Sequence, residues 1–107
     1  MAGNITEVIK VTTVGVLATS TAASVDVALP VGSTGALVKF YRFSVVQNAT
    51  GFAVHVKVGP AGGVATTGDL MVTANDAVIL DCGGCTNFQH IQEVAAANLQ
   101  VSPVEGG

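Results

Sequence analysis

Cys82-Gly83-Gly84-Cys85 is where residue type and spacing in this chain most directly spell out chemistry. A C-x-x-C motif can be half of a zinc site, a redox pair or a local disulfide. Zinc would need two more ligands, and the only histidines are His55 and His90. His90 follows Cys85 by five residues, and His55 would have to fold in from a distant strand. Cys82, Cys85, His90 and His55 are therefore the candidate metal set, but a single C-x-x-C predicts no resident metal or cofactor. A thioredoxin-type pair needs a helix N-terminus after its first cysteine to lower that thiol's pKa. Two glycines between strands predict instead a tight turn, with its thiols half-buried and either free or loosely bridged.

Other chemistries find less support. Serines, histidines and carboxylates are present, but no nucleophile elbow is. Asp69, Asp76 and Asp81 are spaced too widely and irregularly for a calcium loop, and residues 59–68 have no lysine and no following helix to cradle phosphate. His55 and Lys57 fall on the polar side of their strand, where they either face solvent or pair with a carboxylate across a subunit boundary. Asn4-Ile5-Thr6 and Asn48-Ala49-Thr50 match the glycosylation pattern, but the first residues carry Glu7 and no basic leader, so these read as chance matches. No catalytic activity is expected.

The elements that must position these groups are strands. Residues 37–58 form the aromatic centre of the chain, with three of its four phenylalanines and its only tyrosine. They read as a β-hairpin: a strand over 37–46, a turn at 47–51 and a return strand over 52–58. In the return strand Phe52, Val54, Val56 and Val58 alternate with Ala53, His55 and Lys57, the period of a half-buried strand. The outgoing strand is apolar on both faces, which predicts a central position or a cover on its second face.

Further strands are expected at 7–17, 24–29, 69–73, 77–81, 88–93 and 98–102. Gly15 marks a bulge in the first of these, and 30–35, 74–76, 82–87 and 94–97 are turns or loops. Residues 59–68, the most glycine-rich segment, are expected to be an exposed, mobile loop. Turn signals recur every 8–15 residues and no amphipathic helix of useful length appears. The expectation is a single all-β domain over 1–107, an antiparallel β-sandwich or small barrel of seven or eight strands. It would carry a short N-terminal arm (1–9) and a C-terminal tail (103–107).

Composition narrows the role. Half the residues are hydrophobic, but only 10% are charged and 5% aromatic. Ordinary domains carry roughly 25% charged residues. Nineteen valines and eleven threonines favour strands. So little charge fits either a membrane protein or a subunit whose faces are covered by partners. No apolar run reaches about 18 residues, so partner contact is the expectation. With a net charge of −3 and four scattered cations, there is no basic stripe for nucleic acid.

The run QNATGFAVHVKVGPAGGVATTGDLMVTANDAVILD and the closing IQEVAAANLQVSPVEG resemble small, β-rich virion proteins of tailed bacteriophages. The resemblance covers about residues 36–106 and rests on phrasing and composition. It implies a structural protein of the capsid exterior, either a decoration (cement) protein or the base of a head spike. Such a protein would form a homo-oligomer, a trimer, and bind the major capsid protein. The arm Met1, Ala2, Gly3, Asn4, Ile5 and Thr6 would then be the partner-binding segment. The alternative is a receptor- or glycan-binding module of a head spike or tail fibre, recognising its ligand through 59–68 or 30–35.

Overall fold

The computed structural model describes residues 15–46 and 51–105. Eight strands run through them: β1 (Val16–Thr19), β2 (Val25–Ala28), β3 (Phe40–Val46), β4 (Ala53–Gly59), β5 (Leu70–Thr73), β6 (Ala77–Asp81), β7 (Asn87–Gln92) and β8 (Asn98–Val104). They form two antiparallel four-stranded sheets, ordered β1-β8-β3-β6 and β2-β7-β4-β5. This interleaving is the strand order of an eight-stranded jelly roll, and the molecule is a sandwich rather than a closed barrel. The N-terminal arm, most of the strand expected over 7–17, both glycosylation-like triplets and residues 47–50 lie outside the described residues.

The hairpin expected over residues 37–58 does not form. β3 pairs with β6 and β8, and β4 pairs with β5 and β7. The connection between β3 and β4 therefore passes from one sheet to the other. Sheets in a sandwich lie about 10 Å apart, so a linker of a few residues can bridge them as readily as it can reverse a chain within one. Six of the seven connections cross in this way. The exception joins β4 to β5, a hairpin closed by the glycine-rich loop.

Period two does place the core. Tyr41, Phe43 and Val45 on β3, Val54 and Val56 on β4, Phe88 on β7, and Leu99 and Val101 on β8 are buried between the sheets. β3 is central, as its two-sided apolarity predicts. The Tyr41 hydroxyl is satisfied at the sandwich end, where it donates to the Pro30 carbonyl (2.8 Å) and accepts from the Val38 amide (3.2 Å). β8 runs through Pro103 and Val104, which the sequence assigns to the tail, and Pro103 is fully buried. Glu105 then holds the 30–35 loop, accepting from the Ser33 amide (2.5 Å) and hydroxyl (2.7 Å).

The two outer faces differ. On β4 the alternation breaks down, because Ala53 and His55 point outward yet are only 1% and 5% exposed. His55 lies between the Asp69 carbonyl and the Glu93 carboxylate, and the Glu93 amide donates to the Ala53 carbonyl (3.3 Å). Residues 60–68, expected to be mobile, fold back over this sheet and are pinned there. The Gly62 amide donates to Asp26 (3.0 Å), the Ala65 amide donates to the Ser24 hydroxyl (2.8 Å), and Gln89 donates to the Pro60 carbonyl (3.1 Å). The outer face of the other sheet is more open. Leu17, Phe40, Val46 and Ile79 stand between 38% and 65% exposed there.

Candidate functional site

The candidate metal set is not assembled. Opposite His55 on β7 is Ile91, and opposite Val56 is His90, so the two imidazoles lie on opposite faces of one sheet. Cys82 and Cys85 sit instead in the crossover from β6 to β7. Among the described residues, no three histidines, cysteines or carboxylates are grouped to hold a metal ion.

His55 is buried, and its carboxylate partner comes from its own chain. Its Nδ1 lies 2.9 Å from the Asp69 carbonyl oxygen and its Nε2 lies 2.5 Å from Glu93 Oε1. Both ring nitrogens lie against oxygens that can accept, an arrangement that favours the doubly protonated ring. Burial opposes this charge. The hydrogen bond to Glu93, the bond to the Asp69 carbonyl and the nearby carboxylates outweigh it and raise the His55 pKa above the ordinary value. Lys57, next on the same face, is exposed.

His90 is in the opposite situation. It is fully buried in the core, tilted against Phe88 at 5.7 Å, and among the described residues neither ring nitrogen has a hydrogen-bond partner. Burial lowers its pKa, which keeps the ring neutral.

The Cys82–Cys85 segment is the tight turn its glycines predict. The Cys85 amide donates to the Cys82 carbonyl (2.9 Å), closing a four-residue β-turn. Gly84, the third residue, has φ +80°, as a type II turn requires. The Cys82 amide donates to the Lys39 carbonyl (2.6 Å), which fastens the turn to the strand entrance of β3. Both thiols are free. Cys82 is buried in the core and Cys85 is partly exposed. Burial, with Cys85 and Asp81 adding to it, pushes the Cys82 thiol up to about 12. A protonated, buried sulfur of this kind is a poor nucleophile and suits packing more than catalysis. The turn, Thr86 and residues 37–39 wall an open groove of about 470 Å³, mostly apolar, with Lys39 at its margin.

Asp26 and Gln89 form a polar cluster that residue-by-residue reading misses. Asp26 accepts from Gln89 Nε2 (2.7 Å), Asn87 Nδ2 (3.2 Å) and the Gly62 amide (3.0 Å). These bonds, Gln89's first, hold its carboxyl below the usual range against a small cost of burial. The three donors come from positions 61, 63 and 36 residues away, so only the folded sheet reveals them. No family model, no curated protein and no solved structure matches this chain.

Proposed function

We propose that this protein is a structural, non-catalytic subunit of a bacteriophage virion. In this reading it is a decoration (cement) protein on the capsid exterior that forms a symmetric homotrimer and bridges neighbouring copies of the major capsid protein. The observation that carries the reading is the outer face of the β1-β8-β3-β6 sheet. Leu17, Phe40, Val46 and Ile79 stand exposed among Ser44, Asn98, Gln100 and Ser102, while the other sheet has its own loops over it. The face also carries Arg42 and Asp81, and among the described residues no loop is pinned across it as 60–68 is across the other sheet. Such a mixed, largely apolar face suits burial against other subunits, and closed cyclic symmetry would bury it without open-ended growth. The jelly-roll topology agrees, since viral capsid domains use it, but lectin domains and enzymes share it too.

The test joins two measurements. Sedimentation velocity of the purified chain should give a trimer, and cosedimentation with phage heads lacking the protein should give a copy number near that of the capsomer junctions. Ile79→Lys should abolish both while the chain keeps the wild-type circular dichroism spectrum. A monomer that ignores capsids would end the reading.

One observation favours a second reading, the receptor- or glycan-binding module. Residues 60–68 form an ordered platform pinned at three points, with Val64 61% exposed. A preorganised loop loses less entropy on binding. A dozen or fewer copies per particle, together with hits on a glycan array, would favour this reading over decoration.

A further inference from the structure

We infer that Cys82 and Cys85 are a reversible thiol–disulfide pair that staples the crossover between the two sheets. The inference is independent of the capsid reading. The two cysteines are the first and fourth residues of a hydrogen-bonded β-turn. Such a turn holds its end Cα atoms within about 7 Å, the upper limit of the span a disulfide bridges. Glycines fill both intervening positions, so no side chain stands between the sulfurs and the turn can adjust at little cost. Cys82 belongs to the core cluster and Cys85 packs against it. The groove alongside them is open to a small reagent.

The exposures set the order of events. Cys85, the more accessible thiol, attacks one sulfur of a low-molecular-weight disulfide as its thiolate. An S–S bond forms to the protein and the reagent's own S–S bond breaks, releasing one small thiolate. Cys82 then gives up its proton to solvent and attacks Cys85 Sγ, expelling the second small thiol. The two protein sulfurs together lose two electrons and the small disulfide gains them. The buried, protonated state of Cys82 makes this second step the slow one. The product is a covalent bridge across the turn that carries the chain from β6 in one sheet to β7 in the other.

The experiment uses the full chain with glutathione disulfide as the probe. Wild-type protein is incubated in the folded state at pH 8, quenched with acid, treated with an alkylating agent under denaturing conditions and weighed intact. The expected result is the mass of one chain, free of intermolecular cross-links, with no alkylated cysteine and no retained glutathione, restored to two alkylatable thiols by dithiothreitol. The Cys82→Ser variant should stop with one glutathione on Cys85. A Cys82→Ala variant gives the same reading if serine is poorly tolerated in the core. Wild-type protein that keeps two alkylatable thiols, holds a lasting single glutathione adduct or forms cross-chain dimers would overturn the inference.

Discussion

Phe43 of β3 and Phe88 of β7 meet edge to face across the sandwich, with ring centroids 5.7 Å apart and planes at 85°. The contact joins the two sheets at the middle of the core, and both rings are fully buried. Phe88→Ala should lower unfolding stability by about 3–5 kcal/mol. Urea denaturation followed by circular dichroism measures this, and a loss under about 1 kcal/mol would mean that the sheets do not meet there.

The partnerless imidazole of His90 should make the protein sensitive to acid. Its folded pKa lies below the unfolded value, so the unfolded chain binds the proton more readily. His90 therefore costs nothing in charge above about pH 6.5, and stability falls as the pH drops below that value toward the folded pKa. His90→Leu, close in volume, should remove this dependence. Denaturation midpoints of the two proteins at pH 5 and pH 8 provide the check, with the variant's advantage expected to be larger at pH 5. An equal difference at both values would rule out the buried neutral ring.

His55 should act in the opposite sense. Its folded pKa is raised, so its contribution is fully present below about pH 6.5 and is lost as the pH rises through the folded value. Glu93→Gln removes the carboxylate that faces Nε2. The variant should be less stable than wild type at pH 6 and approach it by pH 9. Titration of the His55 ring resonances by NMR should show the midpoint falling in the variant. If it stays where it is in wild type, Glu93 is not what holds the proton.

Gly51 is fixed by close approach. A methyl group there would run into the backbone carbonyl of Ala96 and the amide of Ala97, neither of which can swing aside as a side chain would. Gly51→Ala should cost about 1–3 kcal/mol. Gly59→Ala is the control, because nothing lies within 4 Å of the added methyl, and it should stay within about 0.5 kcal/mol of wild type. Thermal melts of the two variants side by side would show the contrast, and equal melts would put the 94–97 turn elsewhere.

Asp26 gathers the Gly62 amide, Gln89 and Asn87 on one carboxylate. Asp26→Ala should free residues 60–68 from the sheet, leaving the fold intact. Amide exchange in that loop should rise about tenfold or more while exchange in β3 and β8 stays slow. Because the Asp26 carboxyl is held below its ordinary value, wild-type protection of the loop should persist at neutral pH and fade as the pH drops through the folded pKa. Unchanged loop exchange in the variant would show that Ser24 and Gln89 suffice to hold it.

The all-β class and the places of β2 to β7 were legible in the residues alone, whereas β1 (Val16–Thr19) overlaps the strand expected over 7–17 only at Val16 and Leu17. Valine-rich alternation with glycine and proline between the runs can satisfy its backbone only as short strands. The burial of Val54 and Val56 follows from period two, but which face of β3 is buried does not: Tyr41 and Phe43 are inside while Phe40 is 41% exposed, and Phe52, in phase with Val54, is 46% exposed. The Cys82–Cys85 turn was legible as well, because two glycines between strands leave the chain little else to do. Strand partnership was not legible. Period two says which way a side chain points but not which strand lies beside it, so residues 37–58 read as a hairpin when they cross between sheets. The same blindness hid the cover over β4. Ala53 and His55 look like solvent-facing positions until Glu93, and for His55 also Asp69, are brought against them by strand pairing. The opposite fates of the two histidines were likewise decided only by tertiary structure. One ring lies between two acceptors and the other lies in a core that offers none, and an imidazole's charge depends on those neighbours more than on its place in the chain.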